Sequence, residues 1–305
     1  MELHQLQCFI AVLEEGGFKR ATARLGITQP ALSYQIKRLE EELGVQVFHR
    51  GKGGIGPTEA GRALLAHAQE VISAVREAHR AVRELSGGAS GEIRIGTIKC
   101  IGTYFLPRVL WEIRSRHPMV RPRLVYRNSD ELLASLVASE LDVALVNDPP
   151  PDPRLAQELI LEERISLVSS QGHAFHGRPT VDVSELKDAA FVALSQRTST
   201  GALIQRYIDQ LGLSIVPAFS ADDVETVKMM VEEGMGVAFL PDMVTSDADT
   251  ALWRSAVEPP LTIRLSVVTR REAPSSLAVE ALLAEVRRLA GGRAKAPARR
   301  TAGPA

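Results

Sequence analysis

The sequence predicts an α/β protein with a small all-α domain at its N-terminus and one long helix leading out of it. Three observations carry this. Residues 3–43 show short helical periodicities broken by glycines. Residues 58–86 carry one sustained heptad pattern. From Glu92 onward, short apolar runs of strand type alternate with helical ones.

Taken in order, Leu3, Leu6, Phe9, Ile10 and Leu13 recur at helical spacing, and Gly16-Gly17 stops that helix. Phe18 to Leu25 form a second helix ended by Gly26. Thr28 suits an N-cap and Pro30 a first turn, so a third helix runs to Leu43 and stops at Gly44. Val45–Phe48 and Ile55 read as two short strands around a glycine-rich turn. From Thr58, the positions Leu64, Ala68, Val71, Val75, Ala78, Val82 and Leu85 alternate steps of four and three, the seam of a coiled coil. Ser86-Gly87-Gly88-Ala89-Ser90-Gly91 ends it as a hinge. Strands are then expected at 93–98, 124–126, 143–146, 165–168, 191–194 and 237–239, and helices at 104–116, 130–139, 201–211, 224–233 and 276–289. The Gly-, Ala-, Pro- and Arg-rich tail, 291–305, has no periodicity and is expected to be disordered.

Composition narrows the function classes. The chain has 305 residues, 45% hydrophobic and 24% charged, enough for two or three separate cores. Net charge is −1, so any affinity for nucleic acid must rest on local pattern. Two cysteines, Cys8 and Cys100, give neither a disulfide framework nor metal-ligand spacing. MELHQLQCFIAV has no basic n-region, and no apolar run reaches membrane-spanning length, so no signal peptide and a cytoplasmic location are expected.

Ala21, Leu25, Ile27, Leu32, Ile36 and Leu39 can form one small core across the tight turn at Gly26, which is helix-turn-helix grammar. Leu32, Ile36, Leu39 and Leu43 share one face of the third helix, leaving Gln29, Ser33, Tyr34, Lys37 and Arg38 off it. A recognition helix meets base edges with such hydrogen-bonding groups in its N-terminal half. Lys19, Arg20 and Arg50 are candidates for phosphate contacts. An ordinary solvated helix face is the competing account of the charges.

The run FKRATARLGITQPALSYQIKRLEEELGVQVFHR, followed by PTEAG, resembles the DNA-binding segment of LysR-type regulators over residues 1 to about 62. Thr28, Gln29, Pro30, Ser33, Tyr34, Lys37 and Arg38 fall within it. Tyr34 stands where that family usually carries Arg, and Pro57 where it usually carries Leu. The resemblance implies an α/β protein with an all-α-type winged helix-turn-helix at 1–57, a dimerising linker helix at 58–86 and a hinge at 87–91. It implies a C-terminal, two-lobed periplasmic-binding-protein-like effector domain at 92–290, with lobes at 92–163 plus 267–290 and at 164–266. Double-stranded DNA, a small-molecule effector, further copies of the chain as dimer or tetramer, and RNA polymerase are the partners expected, with no cofactor, no metal and no enzymatic activity.

In such a domain the effector lies between the lobes at the carboxyl ends of strands. Thr97, Lys99, Cys100 and Thr103 leave the first strand; Asn128 and Ser129 leave the second, and Asn147 the third. Thr198 and Ser199 stand at the corresponding place in the other lobe. Helix N-termini there suit anions, and Lys99 favours an anionic effector while Asp148 disfavours one. Hydroxyls at such positions also serve as helix caps.

Other patterns carry less. Gly51–Gly56 satisfies G-x-G-x-x-G, but the heptad helix follows it where a dinucleotide site needs a second strand. His173 and His176 have no third ligand nearby in sequence and read as a polar loop. A redox trigger at Cys100 is an alternative, with no evident partner cysteine. A catalytic α/β protein with a helical extension is another, without a nucleophile-and-base constellation to support it.

Overall fold

The computed structural model describes residues 1–51, 54–87, 89–245, 251–272 and 276–294. The chain divides into two compact units, Met1–Ser86 with Ala138–Glu140, and Gly87–Val137 with Leu141–Ala305.

In the first unit, α1 (Leu3–Glu14), α2 (Phe18–Leu25) and α3 (Gln29–Leu43) are followed by the antiparallel pair β1 (Phe48–Gly51) and β2 (Gly54–Pro57), then by α4 (Glu59–Gly87). Their core is built on Phe9, Leu32, Ile36, Leu39 and Phe48, with the Phe9 and Phe48 rings 5.3 Å apart. β1 starts at Phe48 and not at Val45, because the backbone before it is committed elsewhere. Glu40 Oε1 accepts the Val47 and Phe48 amides at 2.9 and 3.4 Å, and the Gln46 carbonyl accepts the Thr58 hydroxyl at 2.7 Å. Leu43, expected on the buried face of α3, is 38% exposed.

α4 also departs from a simple seam. Ala68 and Ile72 are buried in the core of this unit and Leu64 packs against it, so the first seam positions cover their own domain. Val71, Ala78 and Val82 are exposed and Val75 half-buried, an apolar stripe at heptad spacing on the rest of the helix. The side chain of Leu85 lies outside those described. The helix takes in Gly87, the first residue of the expected hinge; Gly88 lies outside the described residues.

The second unit runs β3 (Gly91–Thr97), α5 (Lys99–Tyr104), α6 (Leu106–Arg116), β4 (Val120–Tyr126), α7 (Ser129–Val137), β5 (Val143–Asn147), β6 (Leu155–Ser170), β7 (Thr180–Asp182), β8 (Val192–Leu194), α8 (Ser199–Gln210), β9 (Phe219–Ala221), α9 (Val224–Glu232), β10 (Ala238–Pro241), β11 (Leu252–Glu258), β12 (Leu261–Arg270) and α10 (Leu277–Ala294). A mixed sheet has the order β4-β3-β5-β12-β6-β11-β7, with β10 on β6. β3 is parallel to β4 and β5, whereas β12 is antiparallel to β5 and β6.

Two hydrophobic cores lie on this frame. One gathers Ile93, Ile95, Leu106, Leu145, Leu265 and Val267; the other gathers Ile165, Leu167, Phe191, Phe239, Leu261 and Ile263. The long pair β6 and β12 passes through both, so the lobes are joined by two hydrogen-bonded strands. On β12 the changeover falls between Ile263 and Leu265, short of the boundary expected at 267.

Three further elements differ from expectation. The helix expected at 104–116 is broken at Phe105, because Pro107 has no N–H to continue a helix from α5. β6 begins ten residues before its expected start at 165, since exposed Gln157, Glu162 and Arg164 disguise its first half. α10 continues to Ala294, into the expected disordered tail; residues 295–305 lie outside those described.

Candidate functional site

Two surfaces gather the chemistry. On the first, Gly26 adopts a φ of +67°, which a glycine tolerates, and its amide caps α2 on the Thr22 carbonyl at 2.9 Å. The chain turns at once into α3, where Thr28 Oγ1 accepts the Ala31 amide at 3.4 Å. Leu32, Ile36 and Leu39 hold α3 against the core, and Gln29, Pro30, Ser33, Tyr34, Lys37 and Arg38 are exposed. Tyr34 is 59% exposed, an aromatic ring presented to solvent. Lys37 lies 3.6 Å from Glu41, a weak surface pair that a phosphate can displace. Lys19 and Arg20 are exposed at the start of α2. Arg50 lies on β1 opposite Ile55; its side chain, and residues Lys52 and Gly53, lie outside those described.

Part of the PTEAG segment has a structural duty. Thr58 Oγ1 accepts the Gly61 amide at 3.0 Å, capping α4. A Cβ on Gly61 would lie 2.1 Å from the Val47 carbonyl oxygen, so the helix can approach the β1 entry only with glycine there.

The second surface is a cleft in the other unit, where the starts of α5, α7, α8 and α9 converge. A cavity of about 460 Å³ is lined by Lys99, Cys100, Asn128, Ser129, Thr198 and Ser199, all expected, and by Tyr126, Arg197, Thr200, Asp222 and Asp223, which were not. An adjoining cavity of about 280 Å³ shares Asn128, Ser129, Thr198 and Ser199 and adds Asn147, Asp148 and Arg206. Two expected residues are not brought here. Thr97 is fully buried with its hydroxyl on the Leu145 carbonyl at 3.3 Å, and Thr103 is exposed and lines neither cavity. Thr97 misses because it is the last residue of β3, held inside the sheet between β4 and β5, and Thr103 because it lies one turn further along α5 than Lys99.

Several side chains serve as caps. Asn128 Oδ1 accepts the Glu131 amide at 2.9 Å, and Thr198 Oγ1 the Gly201 amide at 3.0 Å. Asp223 Oδ2 accepts the Thr226 amide and hydroxyl at 3.3 and 3.0 Å. The first amides of each helix have no intrahelical partner and point their dipoles inward, a setting for negative charge. The fixed charges are mixed. Lys99 Nζ meets Asp223 Oδ1 at 2.9 Å, Arg197 pairs with Asp222, and Arg264 Nε meets Asp148 Oδ1 at 2.8 Å. Burial pushes the Asp223 carboxyl up, but Lys99 and Thr226 together hold it below the usual carboxylate value.

Three polar groups in the cleft stay unused. Thr200, 3% exposed, and Asn147, 6% exposed, make no side-chain hydrogen bond to a described residue. Ser129 Oγ is buried without a partner among the described residues. Asp223 and Thr200 could have been found from sequence: D-D-V-E-T and T-S-T-G are helix starts of the same kind as those weighed.

The remaining candidates have ordinary roles. His173 Nδ1 accepts the Phe175 amide at 3.2 Å, and the His173 and His176 rings pack on Phe175 and Trp253. Cys8 is fully buried, and burial pushes its thiol up; Cys100, 6% exposed, packs in the second core. Among the described residues no group of three or more His, Cys, Asp or Glu could hold a metal ion, and no helix is long and apolar enough to cross a membrane.

Known proteins match both units. Residues 3–62 match the model of the bacterial regulatory helix-turn-helix protein, lysR family, and residues 86–291 match the LysR substrate binding domain. The HTH-type transcriptional regulator CbbR of Cereibacter sphaeroides is 32% identical over 248 residues, covering 80% of each chain. CfxR of Cupriavidus necator is 31% identical over 240 residues, covering 79% of this chain and 75% of that one. A full-length OxyR variant from Pseudomonas aeruginosa shares the fold with a TM-score of 0.74 at 23% identity, over 94% of this chain and 95% of that one. Full-length CbnR in complex with its target DNA does so with a TM-score of 0.69 at 23% identity, over 94% and 99% of the two chains. With a helix-turn-helix at one end and an effector-binding domain at the other, the chain belongs to the LysR-type transcriptional regulators.

Proposed function

We propose that the chain works as a DNA-bound homo-oligomer, dimer or tetramer, whose arrangement is reset by a small anionic effector in the cleft of the second unit. The carrying observation is the convergence of four helix starts on one cleft that also holds the unpartnered polar groups of Asn147, Ser129 and Thr200. Lys99, Cys100, Asn128, Ser129, Asn147, Thr198 and Ser199 are the residues proposed to contact it; Thr97 and Thr103 are not. Gln29, Ser33 and Tyr34 read bases, Thr28 and Pro30 set the start of that helix, and Lys19, Arg20, Lys37, Arg38 and Arg50 meet phosphates. The stripe Val71, Val75, Ala78 and Val82 joins two copies. The reading is of a cytoplasmic regulator without enzymatic activity or cofactor, acting with RNA polymerase.

Fluorescence anisotropy of the full chain tests the first half. At fixed salt, a duplex from upstream of its own gene should bind about a thousandfold tighter than a scrambled one; equal affinities would overturn the reading. Thermal shift against small anionic metabolites tests the second. At a hundred times its dissociation constant, the effector should add about 2.7 kcal/mol of stability; no shift with any anion, and a shift with a neutral compound, would refute the anionic assignment.

A further inference from the structure

We propose that Lys99 is a latch across the cleft, held by Asp223 in the free protein and transferred to the anionic group of the effector on binding. This rests on the cleft being the effector site. Lys99 opens α5, next to Ile98 and Ile101 of the first core, while Asp223 caps α9, whose Val227 and Val231 belong to the second. Their 2.9 Å contact therefore spans the two lobes at the cleft mouth.

Neither partner needs the contact to fold. Asp223 keeps its helix cap through Oδ2, leaving Oδ1 to Lys99. The Lys99 side chain is 61% exposed and that of Asp223 24%, so the ammonium end of the pair stays hydrated and can change partners. The same cavity supplies what an anion would use beside Lys99: the first amides of α8 at Ser199 and Thr200, and the hydroxyl of Thr200, a residue 3% exposed. Arg197 is already engaged by Asp222. An incoming carboxylate or phosphate group competes with Asp223 for one ammonium, and its arrival removes an ion pair between the lobes. Ligand affinity and lobe contact are thereby linked, as a shift between two arrangements requires.

The test is calorimetric titration of the full chain with inorganic phosphate at constant ionic strength. It compares the wild type, Lys99→Gln, Asp223→Asn and the double variant. Asparagine is a good N-cap, so Asp223→Asn keeps α9 intact. Asp223→Asn should bind phosphate about fivefold tighter, the free energy of a partly exposed ion pair. Lys99→Gln should bind it about tenfold weaker, the loss of one charge-assisted hydrogen bond. The decisive comparison is the gain from Asp223→Asn with glutamine at 99, which should shrink below about twofold because no ammonium remains to release. An equal gain in both backgrounds would overturn the latch, since Asp223 would then act only as a repelling charge. Phosphate binding undetectable in both the wild type and Asp223→Asn would overturn the anionic cleft itself.

Discussion

In the N-terminal unit the residues proposed to meet DNA come from one unbroken stretch, Lys19 to Arg50, and their places on α2 and α3 are fixed by local spacing. In the C-terminal unit the cleft is assembled from residues 98–100, 126–130, 147–148, 196–200 and 222–224, brought together by β6 and β12 passing through both cores. A helix displays its site by period alone, so exposed and buried positions follow from 3.6 residues per turn. A cleft built where strands end depends on topology, which local spacing does not encode.

The largest effects come from the two glycines that seat a helix start against backbone, one in each unit. A Cβ at Gly61 would lie 2.1 Å from the Val47 oxygen, and one at Gly201 2.1 Å from the Ser195 oxygen. Gly61→Ala and Gly201→Ala should each cost about 3 kcal/mol, as overpacking against an immovable neighbour does. Differential scanning calorimetry should place each loss in a different transition; both substitutions lowering one shared transition would break the comparison. Next is Val82→Asp. Val82 is 66% exposed in the single chain, so its own unit should lose less than about 0.5 kcal/mol, while sedimentation should find the dimer weakened at least about tenfold. An unaltered dimer would remove the stripe from the interface.

Smaller effects sharpen the cleft. Thr200→Val should weaken phosphate binding about threefold, the value of one neutral hydrogen bond, while Thr103→Ala leaves it unchanged in the same titration. A loss at Thr103 would mean that the cleft extends past α5. The smallest concerns pH. Asp223 is held below its ordinary value in the folded chain, so its stabilisation is present above its unfolded value near 4 and lost as pH falls through the folded one. Melting of the second unit in Asp223→Asn should therefore match the wild type in slope from pH 8 to 6 and fall less steeply below about pH 4.

The same contrast explains what was legible. Thr28, Gly26, Leu32, Ile36 and Leu39 were found because caps, stops and periodicity are local. The strand expected from Val45 starts only at Phe48 because Glu40 takes the Val47 and Phe48 amides, contacts seven and eight residues back that no period reveals. In the cleft, Asn128, Thr198 and Ser199 were found as helix starts, but Asp223 and Thr200 were passed over. Their importance comes from sharing a cavity with Lys99, more than a hundred residues away. β7, β9, β11 and β12 were not expected, being short or carrying polar residues between apolar ones, as Arg254, Thr262 and Arg264 do.

Separate residue sets for reading and for sensing are the central claim. Its most direct test is the effector-free DNA affinity of the full-length wild type, Gln29→Ala and Thr200→Val on one specific duplex and one scrambled duplex at fixed salt. Gln29→Ala should weaken specific binding about tenfold, equal to about 1.4 kcal/mol, and leave scrambled binding nearly unchanged. Thr200→Val should stay within about twofold of the wild type on both. Gln29→Ala losing equally on both duplexes, or Thr200→Val losing as much as Gln29→Ala, would contradict the division.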